Sequence, residues 1–266
     1  MNMQTDAYVT KGHTHAVCED YTLHGALPFP YFILADGCSS SPHAEVAAQL
    51  LCWAAASQLA MMANTTLAFA TRVSLFRQAV LAQAQQAAAA IGYSAPLLAT
   101  LMVGYVCAGS VYVLVWGDGM VSTIDQQGHA WVETIHYAGH TPYYLAYENQ
   151  TMPNPKKTVT RLNLNQALAD PQVQTVPMCE PICRCFDVRD YRFIGIMSDG
   201  VDSIKSRQTW EAGLDAGVLR DFLAFKNIRG EFIQRRSKRV ISALAEQGLR
   251  PMDDLSYAGV ALRGVA

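Results

Sequence analysis

Three aspartates in this sequence each follow an apolar run and precede a glycine. They are Asp36, Asp118 and Asp199, in the segments 33–37, 115–119 and 196–200. A single Asp-Gly pair usually marks a turn, because Asp hydrogen-bonds to its own backbone and Gly accepts a positive φ. A fourth acidic site, Asp253-Asp254, precedes an apolar run instead. If the ends of these runs meet at one edge of a sheet, the carboxylates meet as well and require cations between them.

The residue types indicate which cation would bind. Carboxylate oxygens select hard divalent ions such as Mg²⁺ or Mn²⁺. The sequence contains no compact quartet of His and Cys, which argues against a structural zinc site. Cys179, Cys183 and Cys185 have the spacing C-x3-C-x-C, but no fourth ligand lies nearby, so we interpret them as incidental thiols.

Charge and composition exclude several classes of protein. Only 16% of the 266 residues are charged and the net charge is −2, so no overall field attracts nucleic acid or an anionic membrane. The seven scattered cysteines favour a reducing cytoplasm over a secreted disulfide framework. The N-terminus has charged residues and no apolar block, so we predict no signal peptide. Residues 97–117 carry no charge, but turn residues near 107–110 favour two buried strands over a membrane span.

Hydrophobic patterning predicts the elements that must position the acids. The predicted strands are 7–10, 21–25, 31–35, two within 97–117, 130–135, 192–197 and 256–262. The predicted helices are 44–63, 72–91, 210–225 and 230–247. Between 139 and 187 the pattern is lost and six prolines occur, which indicates an irregular insertion. This order favours antiparallel sheets covered by helices in one domain.

The motifs also occur in a familiar order along nearly the whole chain. They are Cys18-Glu19-Asp20, Asp36-Gly37, Ala99-Thr100, Gly117-Asp118-Gly119, Ser198-Asp199-Gly200 and Asp253-Asp254. This series resembles the metal-dependent protein phosphatase 2C family, in its bacterial type. The resemblance implies an α/β (α+β) fold, a four-layer sandwich of two central antiparallel sheets flanked by helices. It also implies a single catalytic domain over 1–266, with a variable flap at about 139–187.

The resemblance assigns a role to each matched residue. Asp36 would bridge two Mn²⁺ or Mg²⁺ ions, with the carbonyl of Gly37 and either Glu19 or Asp20 completing one of them. Asp199 and Asp253 would hold the other, and Asp118 resembles an acid that helps bind a third ion in bacterial members. A water shared by two ions would attack phosphorus directly. The implied catalytic residues are therefore Asp36, Asp199 and Asp253.

The sequence departs from the family pattern at several positions. His15 lies four residues before Glu19, where eukaryotic members have an Arg that binds the substrate phosphate, so it is a candidate for substrate binding or a structural histidine. Cys38 occupies the place of a proposed general acid, and we interpret it as a packing residue. Asp202 follows Asp199 by three residues instead of four. Asp254 replaces a common Asn, either as a partner of the ligands or as a solvated acid.

A basic segment near the C-terminus admits two interpretations. Its members are Arg229, Arg235, Arg236, Lys238 and Arg239. Such a cluster could attract acidic phosphopeptides or nucleic acid. The simpler interpretation is the solvated side of an amphipathic helix, because apolar residues recur at helical spacing between the bases. We therefore give this segment no role in the site.

The resemblance implies a protein-serine/threonine phosphatase, and we expect it to be cytoplasmic and monomeric. Its partners would be a phosphoprotein substrate and a cognate Ser/Thr kinase, with no nucleic acid and no membrane. Two alternatives remain open at this point. One is a catalytically weak, phosphatase-like protein that signals by binding, and the other is a hydrolase of a small phosphate ester.

Overall fold

The structure is a computed structural model that describes residues 3–64, 66–137, 142–147, 156–165, 171–177, 180–206 and 216–262. Its helices are α1 (Ala44–Gln58), α2 (Phe69–Ala90), α3 (Ala216–Leu223) and α4 (Phe232–Glu246). Its first seven strands are β1 (Met3–Thr10), β2 (Asp20–Gly25), β3 (Tyr31–Asp36), β4 (Leu101–Cys107), β5 (Ser110–Trp116), β6 (Gly119–Asp125) and β7 (Ala130–Tyr137). The others are β8 (Lys156–Asn163), β9 (Gln172–Pro177), β10 (Ile182–Asp187), β11 (Tyr191–Met197), β12 (Ile204–Ser206), β13 (Leu249–Pro251) and β14 (Leu255–Leu262).

Two antiparallel sheets form the centre of the fold. The seven-stranded sheet has the order β1-β14-β11-β6-β7-β8-β9, and the five-stranded sheet has the order β10-β5-β4-β3-β2. Strands β12 and β13 form a small separate ribbon. In β3, Ile33 contacts the helix-covered core while Leu34 packs between the two sheets. Because successive side chains of a strand point to opposite faces, a strand buried on both faces is a continuous apolar run.

Helices cover the outer face of each sheet. Leu51 of α1 and Phe76 of α2 pack on the five-stranded sheet, and Phe222 of α3 and Ile233 of α4 pack on the seven-stranded sheet. The result is the expected sequence of layers, helices on sheet on sheet on helices, and the predicted α/β sandwich is confirmed. Within the described chain, the stretch Ala44–Ala63 is long and apolar enough to cross a membrane. This is weak evidence for a membrane span, because a buried core helix has the same length and composition.

Helix α4 begins beside the first strand. Glu231, the N-cap residue directly before the helix, makes no capping hydrogen bond through its side chain. Instead, Oδ2 of Asp6 in β1 accepts hydrogen bonds from the backbone amides of Ile233 at 2.5 Å and Gln234 at 3.1 Å. A carboxylate at this position satisfies free amides and the positive end of the helix dipole. Asp6 thus fixes the start of α4 against the sheet.

The segment 139–187 differs from the expected irregular insertion. Three strands lie within it: β8 and β9 extend the seven-stranded sheet, and β10 pairs with β5. Three of the six prolines that suggested a loop stand at strand boundaries: Pro171 precedes β9, Pro177 ends it and Pro181 precedes β10. An edge strand tolerates proline at its ends, where no ladder hydrogen bond is lost. The assignment of a flap to this segment stays a prediction.

Candidate metal centre

Four of the predicted acids lie at one edge of the sandwich. Asp36 ends β3, Asp118 stands in the turn from β5 to β6, Asp199 follows β11 and Asp253 precedes β14. In the antiparallel register Met197 lies opposite both Met120 and Tyr257, so the end of β11 meets the starts of β6 and β14. A cavity of about 210 Å³ lies at this edge. Its walls include Asp36, Gly37, Asp118, Asp199 and Asp253.

Three acids at the cavity, Asp36, Asp118 and Asp199, have raised pKa values. Burial raises the pKa of Asp36 well above its ordinary range, and the charges of Asp20, Asp199 and Asp118 raise it further. Burial, together with Asp199 and Asp253, raises the pKa of Asp118 to about 7. The carboxyl groups of Asp36 and Asp199 are in hydrogen-bonding contact. Carboxylates packed this closely repel one another unless protons or cations neutralise their charge. Their oxygens are the ligands that Mg²⁺ and Mn²⁺ prefer.

Glu19 and Asp20 stand behind the cavity wall and each have an unpaired oxygen. Asp20 lies opposite Asp36 in the β2–β3 register and is only 5% exposed. Ser198 Oγ donates to Asp20 Oδ2 at 2.8 Å, while Asp20 Oδ1 and Glu19 Oε2 are buried and accept no hydrogen bond from the described residues. Burial raises the pKa of Asp20 to about 7. An unpaired buried carboxylate oxygen suits a cation, so these residues fit the predicted metal site.

The backbone around Asp36 is fixed from two directions. The amide of Asp36 donates to Thr100 Oγ1 at 3.0 Å, and the amide of Thr100 donates to the Asp36 carbonyl at 2.8 Å. Gly37 lies against the start of α1, where a Cβ atom would come within 2.6 Å of the Ala44 carbonyl oxygen. Only glycine permits this approach without displacement. Thr100 and α1 therefore hold the Asp36-Gly37 pair in place.

The loops that carry Asp199 and Asp253 are joined by a serine. Ser203 Oγ donates to the Gly200 carbonyl at 2.6 Å and accepts from the amides of Met252 at 3.1 Å and Asp253 at 2.9 Å. A Cβ atom on Gly200 would overlap the carbonyl oxygen of Asp254. The close packing of these two loops keeps Asp199 beside Asp253.

Asp202 lies near this centre but does not line the cavity. Burial, followed by the charge of Asp199, raises the pKa of Asp202 to about 7. Its Oδ1 atom is buried and has no partner among the described residues. Asp202 is absent from the walls formed by the four aspartates above. A role in binding a third ion therefore has no support from the cavity geometry.

Asp254 is a buried acceptor and not a solvated acid. It is 2% exposed and accepts from the amides of Gly12 at 2.6 Å and Glu19 at 2.5 Å. Its Oδ2 atom also lies 3.0 Å from His15 Nδ1. These bonds attach the loop after β1 to the loop before β14. Of the two interpretations left open by the sequence, the structure selects a partner of the ligands.

His15 contacts carboxylates through both ring nitrogens. Its Nε2 atom lies 3.3 Å from Asp253 Oδ1, and Nδ1 lies 3.8 Å from Glu19 Oε2 in addition to its contact with Asp254. Burial opposes protonation, but the hydrogen bond to Asp254 and the nearby charges raise the pKa of His15. His15, Glu19 and Asp254 place ligand atoms within 4.8 Å of one another. Binding of substrate by His15 stays a prediction.

Cys38 and Tyr144 complete the cavity wall on the side of the predicted flap. Tyr144 is 7% exposed and its hydroxyl hydrogen-bonds with the Cys38 thiol. Burial acts to raise the pKa of Cys38, but hydrogen bonds with Ser40 and Tyr144 lower it on balance. Cys38 therefore lines the site, whereas the sequence suggested a packing residue. Of the predicted flap, residues 139–141, 148–155, 166–170 and 178–179 lie outside the described residues, and Cys179 of the C-x3-C-x-C motif is among them.

Sequence reasoning did not predict the supporting contacts of Ser198, Ser203 and Tyr144. Ser198 and Ser203 lie in the segment that carries Asp199, and Tyr144 lies in an aromatic segment. Proximity to a motif was therefore the available signal. Ser198 contacts Asp20, which is distant along the chain, and Ser203 contacts the backbone amide of Asp253. Neither contact requires a recognisable spacing of residue types, so no sequence pattern predicts it.

The family model described as Protein phosphatase 2C matches residues 10–223 of this chain. The chain belongs to the protein phosphatase 2C family. This finding confirms the predicted family and the phosphatase class of activity. No curated protein matches the sequence. The matched region contains all the motifs up to Ser198-Asp199-Gly200. These motifs supply Asp36, Asp118 and Asp199 at the edge of the sandwich.

Solved structures of bacterial phosphatases have the same fold. The serine/threonine phosphatase Stp1 from Staphylococcus aureus aligns with a TM-score of 0.60 at 16% identity, covering 99% of this chain and 96% of that one. The Mycobacterium tuberculosis serine/threonine phosphatase PstP/Ppp aligns with 0.56 at 18% identity, covering 98% and 99%. PppA from Pseudomonas aeruginosa, described as a regulatory component of T6SS, aligns with 0.51 at 16% identity, covering 99% of each chain. At these identities the likeness shows the fold.

Proposed function

We propose that this protein phosphatase 2C hydrolyses phosphoserine and phosphothreonine monoesters on proteins with Mn²⁺ or Mg²⁺. The observation that supports the proposal is the cavity of about 210 Å³ with four aspartates and Gly37 in its walls. Their oxygens form a hard-ligand set in a partly enclosed space, which suits two ions with a third near Asp118. The named phosphatases of the same fold support a phosphoprotein substrate.

Two divalent cations, when bound, supply a water of lowered pKa and positive charge for the phosphoryl oxygens. The residues of the chain position both reactants. Asp36, at the end of β3, lines the cavity, and its backbone is fixed by Thr100. Asp199 and Asp253 line the same cavity, and Ser203 fixes the Asp253 amide at 2.9 Å. Ser198 orients Asp20 behind Asp36, so that the ligand set is preorganised.

Tyr144 and Pro142 line the cavity together with the acids. Its volume of about 210 Å³ suits a small tetrahedral group. An exposed phosphorylated side chain on a flexible segment can enter such a site, while its polypeptide remains outside. The cavity therefore supports a phosphomonoester at the end of a short side chain.

The remaining parts of the proposal concern the cellular setting. We place the enzyme in the cytoplasm as a monomer, opposite a Ser/Thr kinase that produces its substrate. The support is the odd cysteine count and the six described cysteines, all of which are free thiols. A reducing compartment keeps such thiols unpaired.

Hydrolysis of a phosphothreonine peptide and of p-nitrophenyl phosphate tests the function. We expect turnover that requires Mn²⁺, is abolished by a chelator and falls at least about a hundredfold in Asp36→Asn, because one ligand of the site is lost. Asp190→Asn, which neutralises an exposed acid in the turn before β11, is the matched control and keeps its activity. Full activity of Asp36→Asn contradicts the proposal. Preference for a sugar phosphate over the peptide indicates a small phosphate ester as substrate.

A further inference from the structure

A second charged feature lies where α3 connects to α4. Two adjoining cavities of about 580 Å³ each lie along the connecting loop and share Phe225, Lys226, Asn227 and Arg229. Six bases line them, and we call this surface the basic groove. They are Arg192, Lys226, Arg229, Arg235, Arg236 and Arg239. No acidic residue is among the described residues that line either cavity.

Most of this charge is not neutralised by the protein. Arg236 pairs with Asp221 at 3.2 Å, and Arg235 donates to the Arg229 carbonyl at 2.5 Å. Within the described part of the chain, the side chains of the other four bases make no ion pair. These four are Arg192, Lys226, Arg229 and Arg239, and all are exposed. Five bases without an ion pair along two adjoining cavities produce a local positive potential despite the net charge of −2.

The backbone beneath the bases is firmly held. The Phe225 ring packs against Phe193 and Phe232 at centroid distances of 4.9 and 5.3 Å. The Gln4 side chain donates to the Gly230 carbonyl at 3.0 Å, and the Arg229 amide donates to Asn227 Oδ1 at 2.9 Å. A fixed loop loses little conformational entropy when a ligand binds. The basic groove is therefore a preorganised surface.

The basic groove lies at the opposite end of the seven-stranded sheet from the metal centre. Gln126 and Leu262, which line it, lie at the ends of β6 and β14, whereas Asp118 and Asp253 precede the starts of these strands. Strands of seven or eight residues separate the two sites by about 20–25 Å. A ligand in the groove does not compete for the metal site.

We propose that the basic groove docks an acidic polypeptide segment of a partner protein. The two adjoining cavities suit an extended chain, and carboxylates complement the bases that have no partner. Nucleic acid fits less well, because the aromatic rings of Phe225 and Phe232 pack into the core and are not free to stack on bases.

Fluorescence anisotropy with a labelled ten-residue peptide of Asp and Glu tests the docking, using the full chain and a matched peptide of Asn and Gln. We expect only the acidic peptide to bind, with about tenfold weaker affinity at 250 mM than at 50 mM salt, since screening weakens exposed ion pairs. In Arg229→Gln/Arg239→Gln the dissociation constant should rise about tenfold, from the loss of two exposed contacts. Hydrolysis of p-nitrophenyl phosphate should stay within about twofold, because the groove is remote from the metal centre.

The control is Lys156→Gln/Arg189→Gln, which removes two exposed charges outside the groove. It should bind the acidic peptide as the unaltered protein does, and circular dichroism should show that both double variants are folded. Equal loss of binding in the two variants overturns the proposal, since it would reflect bulk charge. An oligothymidylate of equal charge that binds more tightly than the peptide also overturns it. Because this assay needs neither metal nor turnover, its outcome is independent of the phosphatase test.

Discussion

The aspartates of the metal centre differ in how their charge is compensated. Asp254 is satisfied by the amides of Gly12 and Glu19 and by His15, so it stabilises the fold with or without metal. Asp36 faces Asp20 and Asp199 and has no cation among its neighbours in the described chain. In the metal-free protein its charge therefore opposes folding. Within one site, Asp254 thus stabilises the folded protein, whereas Asp36 destabilises it in the absence of metal.

Substitution of Asp254 tests its structural role. Asp254→Ala leaves two buried amides without an acceptor and should lower the free energy of unfolding by about 3 kcal/mol. Asp254→Asn keeps one acceptor oxygen for the two amides and should lose about half of that. Urea unfolding of the metal-free proteins measures both values. A loss below about 0.5 kcal/mol for the alanine variant would contradict the role.

The raised pKa values predict how the stability of the metal-free protein depends on pH. Asp20, Asp118 and Asp202 have pKa values of about 7 in the folded state, against an ordinary value of 3.8. At pH values between about 4 and 7, the native state binds more protons than the unfolded state. The free energy of unfolding therefore falls as the pH rises through this range. Urea unfolding at pH 5.0 and 7.5 should show this decrease. Asp202→Asn should reduce it, and equal stability at the two pH values would refute the account.

At the scale of elements, the site depends on how closely two loops pack. The turn after β11 and the loop before β14 touch at Gly200 and are joined by Ser203. Strands β11 and β14 pair in the seven-stranded sheet, and this pairing brings the two loops close together. The packing of the loops then determines the distance between Asp199 and Asp253. A change of backbone spacing here should alter metal affinity before it alters the fold.

Gly200→Ala tests this dependence. Its Cβ overlaps the Asp254 carbonyl, so the loops must separate and the affinity for Mn²⁺ should fall at least about tenfold, equivalent to about 1.4 kcal/mol. Gly248→Ala is the control, because its Cβ meets no atom within 4 Å and the cost is local strain at φ 76. Calorimetric titration with Mn²⁺ compares the two variants. Unchanged affinity in Gly200→Ala would show that loop spacing does not control the site.

The sequence predicted the elements that have strong periodicity and missed those that lack it. The hairpin of β4 and β5 and the helix from Ala44 were predicted because their apolar patterns are dense. Strand β9 is almost entirely exposed and has no alternation, so no pattern marks it. Within the site, Asp36, Asp118, Asp199 and Asp253 were predicted because each lies in a short local motif. The contact of Ser203 with the Asp253 amide was not predicted, because one partner is a backbone group that any residue supplies.

At the scale of the whole molecule, the candidate metal centre lies between the two sheets. Asp36 belongs to the five-stranded sheet, Asp199 and Asp253 border the seven-stranded sheet, and Asp118 lies where the chain crosses from one to the other. Ions held by all four would tie both sheets together. The nearly neutral total charge hides a separation, with the acids at this end and the basic groove at the other.

Metal ions should therefore stabilise the entire sandwich. Mn²⁺ at a hundred times its dissociation constant should raise the free energy of unfolding by about 2.7 kcal/mol for a single site. Thermal unfolding should show one transition that shifts upward with Mn²⁺ and returns on addition of a chelator. In Asp36→Asn the shift should be lost, and the metal-free variant should be more stable than the unaltered protein because one buried charge is gone. A full Mn²⁺ shift in this variant would contradict the account.

The most direct test is a crystal structure of the protein soaked in Mn²⁺, with the ions located by anomalous scattering. The account predicts at least two ions about 3.5–4 Å apart in the cavity, with Asp36 between them and with Asp199 and Asp253 bound to one. Ions bound elsewhere, or an empty cavity at a saturating concentration of Mn²⁺, would contradict it.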